Sequence, residues 1–160
     1  SFFNLEIKLL PYFEFRNLVN LIKETPKLVP PIHVAEGKVS ESWIDYNDHM
    51  NMAYYVQCFE ESSDFVLEHA GLGYDYALNQ QKGVFVIKCE INYKREIKQG
   101  EKFIISLIDL ICKGKKLILK FNMIDYQNSI FANYEILNLN IDLKTKKSIT
   151  FEDTIIKKLS

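Results

Sequence analysis

A change of hydrophobic period near residue 82 constrains this chain more than any other feature of its sequence. Apolar side chains recur every three or four residues from 52 to 70, the spacing of one amphipathic helix of about five turns. Beyond it, apolar and polar residues alternate as in β-strands over 84–94, 102–112, 116–125 and 129–142. Short connections between these stretches favour antiparallel neighbours.

A fifth extended stretch, residues 32–43, precedes the helix. We therefore predict an α+β fold in which one antiparallel sheet buries a single long helix against one of its faces. Lys113-Gly114 and Gln127-Asn128 predict tight hairpins. Gly71 suits a left-handed residue after the helix, and Asn47 or Asp48 can cap the helix N-terminus.

The stretch that begins at residue 84 predicts a strand with one apolar face. That face would carry Phe85, Ile87, Cys89, Ile91 and Tyr93, which alternate with mostly polar neighbours.

Residues 1–31 differ from the rest of the chain. Their loose helical spacing ends at Pro26 and at the Pro30-Pro31 pair, since proline lacks an amide hydrogen and restricts the residue before it. We predict an irregular, partly helical N-terminal extension over 1–31 and one domain over 32–160, a size that supports a single core.

Charge and cysteine content exclude several classes of function. Twenty Lys plus Arg stand against 21 Asp plus Glu, so there is no overall positive field to hold nucleic acid. No apolar run reaches the roughly 18 to 20 residues that a membrane span needs. Three dispersed cysteines argue against a disulfide framework or a zinc site. We expect no metal and an intracellular, reducing location, in the cytoplasm or an organelle matrix.

The densest polar group in the sequence lies between the first strand and the long helix. It comprises Asp45, Asn47, Asp48, His49 and Asn51. Its side chains could simply cap backbone amides. Alternatively, the amides at the helix start could polarise a carbonyl while a carboxylate in the loop attacks or deprotonates water.

This region resembles the signature of the hotdog-fold acyl thioesterases. The resemblance runs through Val39-Ser-Glu-Ser-Trp-Ile-Asp-Tyr-Asn-Asp-His-Met-Asn, Phe59-Glu-Glu-Ser-Ser-Asp and Tyr93-Lys-Arg-Glu. Parts of it are shared with the 4-hydroxybenzoyl-CoA, betainyl-CoA and acyl-ACP thioesterase branches. It implies a five-stranded antiparallel sheet wrapped around one long central helix, hydrolysis of an acyl-CoA or acyl-carrier thioester, and no cofactor.

The resemblance also implies roles for individual residues. Asp45 lies at the position of the catalytic carboxylate, acting as a general base or as a nucleophile. Asn47 and His49 match the Asp-x-Asn-x-His element of the acyl-ACP branch, and Glu96 matches its distal acid. Asp48 departs from the Gly or Gln usual before the His.

Three further residues are expected to bind substrate. Amides from His49 to Asn51 would hold the thioester carbonyl, and Lys94 and Arg95 are candidate clamps for the phosphates of CoA. Cys58 is a weak nucleophile candidate, and Glu61 lies on the predicted polar side of the helix.

The resemblance implies at least a homodimer, since a lone sheet has unpaired edges. Two other functions remain open. The chain could be a catalytically idle subunit of a larger assembly, docked through its aromatic N-terminal extension. It could also be an enoyl-CoA hydratase, although the spacing between its Asp and His is one residue shorter than in that motif.

Overall fold

The computed structural model of the protein describes residues 15–19 and 28–159. Most of the predicted N-terminal extension, residues 1–14 and 20–27, lies outside this range. The part inside it contains a short strand, β1 (Phe15–Asn17), which pairs with the first long strand. Part of the 1–31 segment therefore belongs to the sheet.

The described residues contain three α-helices, a short 3-10 helix and seven strands. The helices are α1 (Met52–His69), α2 (Tyr74–Gln80) and α3 (Asp153–Leu159). The remaining strands are β2 (Ile32–Lys38), β3 (Lys82–Tyr93), β4 (Lys102–Lys113), β5 (Lys116–Ile124), β6 (Ile130–Asp142) and β7 (Lys147–Ser148). None of the helices among these residues is long and apolar enough to cross a bilayer.

The strands form one antiparallel sheet in the order β1-β2-β4-β5-β6-β3, with β7 paired to β6. The five long strands and the long helix are those predicted from the periodicity, and the α+β hotdog fold is confirmed. The first predicted stretch, 32–43, is extended only as far as Lys38, and Glu41–Trp43 form a turn of 3-10 helix. The structure adds the two short strands β1 and β7. β3 lies at one end of the order, so one of its edges has no partner strand among the described residues.

Aromatic contacts show how the sheet curls around α1. Phe65 lies against Phe15 of β1 with ring centroids 5.9 Å apart. Near the middle of the helix, Phe59 stacks on Tyr134 of β6 at 4.9 Å. Towards the N-terminus, Tyr55 meets Tyr93 of β3 at 5.1 Å. One helix touches both ends of the strand order only because the sheet is strongly curved.

A β-bulge changes which face of β3 its residues occupy. The register with β6 shifts between Val86 and Lys88, so that Ile87 is the extra residue. Val86 and Cys89 both lie opposite buried residues of β6. The predicted alternation from Phe85 to Tyr93 is therefore wrong before the bulge, because directly opposite residues share a face.

The sequence predicted the C-terminal end of α1 correctly but not its N-cap. Gly71 has φ +76°, as predicted for a residue that follows a helix. The predicted N-cap at Asn47 or Asp48 is wrong. Asn51 caps the helix, because residues 44–50 form a loop of their own before the helix begins.

Candidate active site

The loop before α1 is closed by its own backbone. Ile44 and Met50 form an antiparallel bridge, and the Asp45 amide donates to the His49 carbonyl at 3.2 Å. Inside the loop, the Asp48 amide donates to the Asp45 carbonyl, and Asp48 has φ +65°. Asp and Asn tolerate this left-handed conformation better than most residues. Asp48 therefore fits a turn that the related motif builds with Gly or Gln.

One of the two oxygens of the Asp45 carboxylate is fixed by a hydrogen bond. Its Oδ1 accepts the backbone amide of Asn47 at 2.8 Å, and the residue is half-buried. Within residues 15–19 and 28–159, its second oxygen has no hydrogen-bond partner. One oxygen thus fixes the direction of the carboxyl group and leaves the other available for chemistry.

The start of α1 lies beside this loop. The Asn51 amide donates to the Trp43 carbonyl at 2.9 Å, and the Asn51 side-chain oxygen accepts the Ala53 amide at 2.9 Å. The Tyr54 amide donates to the Asn51 carbonyl. In the part of the chain that the structure describes, the Met52 amide has no acceptor. The helix therefore presents an open N–H at its electropositive end.

A cleft of about 420 Å³ opens between the loop, the start of α1 and the turn after β3, residues 94–97, which we call the corner. Its walls are formed by His49, Met50, Met52, Tyr55, Tyr93, Lys94, Arg95 and Glu96. His49 Nε2 lies 3.1 Å from Glu96 Oε2, and the Met50 amide donates to the Ile97 carbonyl at 3.0 Å. These two contacts join the loop to the corner, although the paired side chains are 47 positions apart in the sequence.

Arg95, in the corner, is held by two residues outside the cleft wall, Asp125 and Phe131. Arg95 Nη2 lies 2.8 Å from Asp125 Oδ2, and the Arg95 guanidinium stacks 3.9 Å from the centre of the Phe131 ring. The amides of Ser129 and then Gln127 hold the pKa of Asp125 below its ordinary value, with the Arg95 charge acting in the same direction. Arg95 thus stands at the cleft in a defined orientation.

Two tyrosines for which the sequence predicted no role in the site, Tyr55 and Tyr93, form part of the cleft wall. Burial raises the pKa of Tyr55 to about 12, although the Ile97 backbone opposes the shift. Burial also raises the pKa of Tyr93. Both hydroxyls therefore stay protonated at neutral pH. Tyr55 fell within the apolar stripe of the helix, so the sequence predicted only a core position for it.

The structure separates the predicted site residues into two groups. His49, Lys94, Arg95 and Glu96 line the cleft together. The other three do not line it. Asp45 and Asn47 lie in the neighbouring loop, and Asn51 caps the helix.

Glu61 does not lie on the polar side of the helix as predicted. It is 1% exposed. Burial, and then the Asp64 carboxylate, raise its pKa to about 7. Cys58 is fully buried, and burial raises the pKa of its thiol, which makes it a poor nucleophile.

No group of three or more His, Cys, Asp or Glu side chains able to hold a metal ion occurs in the described residues. The chemistry available to the cleft from these residues is that of a carboxylate, an imidazole–carboxylate pair and a helix terminus. Such groups suit water activation beside a carbonyl whose oxygen gains negative charge.

The family model of the thioesterase-like superfamily matches residues 39–159, and the chain belongs to that superfamily. The match covers the loop, α1 and all of the strands from β3 onward. The prediction of a hotdog-fold thioesterase relative is confirmed.

Among individual relatives, an L-carnitine dehydrogenase/betainyl-CoA thioesterase from Rhizobium sp. is 29% identical over 156 residues, covering 95% of this chain and 31% of that protein. The chain thus spans about a third of that relative's length. A betainyl-CoA thioesterase from Pseudomonas aeruginosa is 24% identical over 125 residues, covering 78% of this chain and 79% of that protein.

Solved structures share the fold. A Staphylococcus aureus protein in complex with CoA superposes with a TM-score of 0.71 at 20% identity, covering 78% of this chain and 84% of that one. A 1,4-dihydroxy-2-naphthoyl-CoA thioesterase from Synechocystis gives a TM-score of 0.67 at 13% identity, covering 78% and 94%.

Replacing Asn51 tests its role as the N-cap of α1. We expect Asn51→Ala to lower the free energy of unfolding by about 0.5 to 2 kcal/mol, because the Ala53 amide loses its acceptor. Asn51→Asp keeps an acceptor oxygen and should stay near the wild-type value. Urea denaturation of the three proteins measures this, and equal stability of Asn51→Ala and wild type would contradict the capping role.

Proposed function

We propose that this chain hydrolyses the thioester of an acyl-CoA to a free acid and a free thiol. The observation that carries the proposal is the meeting, in one cleft, of the His49–Glu96 pair and the start of α1, next to the loop that holds Asp45. Relatives named as thioesterases support it. A cleft of about 420 Å³ is within the usual range for a small-molecule site.

Asp45 is the proposed reactive carboxylate. In one route its free oxygen takes a proton from water, which attacks the thioester carbon. In the other route that oxygen attacks the carbon itself, the thiolate leaves, and water then hydrolyses the mixed anhydride. The contact with the Asn47 amide directs the carboxylate in both routes. His49, oriented by Glu96, would order the water. In the first route the proton that Asp45 takes from water would pass through His49 to the departing thiolate. In the second route His49 would give a proton to the thiolate and regain one from the water that hydrolyses the anhydride.

The start of α1 is the proposed oxyanion site. The Met52 amide has no acceptor among the described residues, and Met52 lies in the cleft wall. A carbonyl oxygen there would gain negative charge as the tetrahedral intermediate forms, next to the positive end of the helix dipole. The Asn51 side-chain amide, whose oxygen is engaged by Ala53, still has N–H donors for the substrate.

Lys94 and Arg95 are the proposed contacts for the phosphate groups of CoA. Both lie in the cleft wall, and Arg95 is already oriented by Asp125 and Phe131. A guanidinium fixed in advance loses little side-chain entropy when it binds an anion.

We further propose that the acyl group carries a quaternary ammonium, as in the betainyl-CoA of the named relatives. Tyr55 and Tyr93 place aromatic rings in the cleft wall, and aromatic faces attract quaternary ammonium groups. Glu96 adds a carboxylate to the same wall.

The proposed assembly is a homodimer in which two β3 strands pair edge to edge. The free edge of β3 carries exposed apolar side chains at Phe85, Val86 and Ile87. A long edge with apolar side chains is prone to pair with another strand, and an identical strand forms a symmetric pair.

Exchanging one carboxylate tests the catalytic proposal. We expect Asp45→Asn to reduce kcat for acyl-CoA hydrolysis by about 10² to 10⁴, because the reactive oxygen becomes an amide while the contact with Asn47 can persist. The matched control is Asp48→Asn in the same loop, since asparagine also tolerates a positive φ. It should retain most of the activity.

Release of free thiol from the acyl-CoA measures this reaction. Wild-type turnover by Asp45→Asn would remove Asp45 from catalysis. A chain that releases no thiol from any acyl-CoA would instead fit the idle subunit. Consumption of a trans-2-enoyl-CoA without thiol release would fit the hydratase.

A pair of isosteric substrates tests the acyl proposal. Betainyl-CoA and 3,3-dimethylbutyryl-CoA have the same shape, but only the first carries a positive charge. The ammonium also raises the intrinsic reactivity of the thioester, so the ratio of the two kcat/KM values is compared between wild type and Tyr93→Leu. We expect the variant to lose about 2- to 30-fold of the wild-type preference for betainyl-CoA, which corresponds to a cation–π contribution of about 0.5 to 2 kcal/mol. The same ratio in both proteins would contradict recognition of the cation by Tyr93.

A charged side chain on the free edge tests the dimer. We expect wild type to sediment as a dimer and Ile87→Lys as a monomer, because lysine on an edge strand opposes pairing. Ile87 is 53% exposed, and the control Ile111→Lys, on β4 and away from the edge of β3, replaces an isoleucine that is 41% exposed. Analytical ultracentrifugation distinguishes the outcomes. A monomeric wild type, or a dimeric Ile87→Lys, would contradict pairing through β3.

A further inference from the structure

The end of the sheet remote from the cleft carries a concentration of lysines. We call it the lysine surface and define it by eight exposed side chains: Lys113, Lys115, Lys116, Lys144, Lys146, Lys147, Lys157 and Lys158. They come from three elements, the β4–β5 hairpin, the β6–β7 turn and α3. The chain as a whole has a net charge of −1, so this region differs sharply from its remainder.

Backbone contacts bring the three elements together. The Asn140 amide donates to the Lys115 carbonyl at 2.9 Å, and the Phe151 amide donates to the Gly114 carbonyl at 2.9 Å. Lys115 Nζ lies 3.4 Å from the Ser148 hydroxyl, which joins the hairpin to β7. The lysines therefore belong to one continuous surface, although they are up to 45 positions apart in the sequence.

The charges of these lysines are not neutralised within the described residues. None of the eight takes part in an ion pair there. Two of the nearby carboxylates are engaged by other groups. Asp142 accepts the amides of Lys144 and Thr145, and Glu152 pairs with Lys82 at 3.1 Å. Like charges separated by less than a Debye length of about 8 to 10 Å repel one another, so negative groups from a partner would be stabilising.

We propose that the lysine surface docks an acidic protein, through a patch rich in Asp and Glu. Complementary charge of this kind raises the rate of association and sets orientation. This binding is independent of the hydrolase activity proposed for the cleft, which lies at the opposite ends of β3 and β6.

The composition of the lysine surface disfavours two other anionic partners, nucleic acid and an anionic lipid bilayer. The lysine surface contains no arginine and no exposed aromatic ring, the groups that read and stack nucleic-acid bases. The exposed large apolar side chain next to it on β4 is Ile111, two positions before Lys113, and a single isoleucine is a small anchor for insertion into a bilayer. Asp142, Glu152 and Asp153 are interspersed with the lysines, and they would repel a uniformly anionic lipid surface but could meet basic groups on a protein.

Two triple variants with equal charge changes test the proposal. K113Q/K144Q/K147Q removes three charges from the lysine surface. K38Q/K98Q/K102Q removes three exposed lysines near the other end of the sheet, where Lys38 and Lys102 are directly opposite each other. The probe is a helical peptide rich in Glu and Asp, and binding is measured by fluorescence anisotropy between about 50 mM and about 0.3 M NaCl.

We expect the acidic peptide to bind wild type and K38Q/K98Q/K102Q equally, and K113Q/K144Q/K147Q about tenfold more weakly, with affinity falling as salt rises. Equal weakening in both variants, or no binding to wild type, would overturn the proposal. So would tight binding to phosphatidylglycerol vesicles together with no binding to the peptide. Thermal unfolding and thiol release measured on both variants separate a loss of docking from a loss of fold or of hydrolysis.

Discussion

The packing of α1 inside the curved sheet is the contact on which the rest of the structure depends. Three aromatic pairs fix the helix along its length, from Phe65 on Phe15, through Phe59 on Tyr134, to Tyr55 on Tyr93. Burying rings of this size dominates the energetics of a small core. Because the last of these pairs lies at the first turns of the helix, the same packing that stabilises the fold sets the helix N-terminus in the cleft wall.

The polar part of the site is built on that frame by backbone contacts. The loop from Ile44 to Met50 closes on itself, and the Met50 amide then joins it to the corner after β3. His49 and Glu96 meet because both flank that contact. The imidazole–carboxylate pair of His49 and Glu96 and the open amide of Met52 thereby belong to one cleft wall, and the Asp45 carboxylate lies in the adjoining loop. Few flexible links join these groups, which favours catalysis by preorganised groups.

Periodicity predicted most of this fold, because the helix and the strands each have one buried face. It failed where geometry is not periodic. The bulge at Ile87 exchanges the faces of β3, and the loop before α1 moves the cap from Asp48 to Asn51. The pairing of His49 with Glu96 could not be predicted from spacing, and only the family resemblance connected the two. Tyr93 and the buried Glu61 were missed or misplaced because exposure depends on how the sheet curves.

Hydrolysis in this cleft requires that the thioester bind with its carbonyl oxygen at the start of α1. Amide NMR spectra recorded with a non-hydrolysable ketone analogue of an acyl-CoA, in which a methylene replaces the sulfur, show where that oxygen binds. We expect the largest shift in amide resonance at Met52, with smaller shifts at His49 and Arg95. Shifts confined to another face of the protein, with Met52 unchanged in the presence of bound analogue, would contradict this mode of binding.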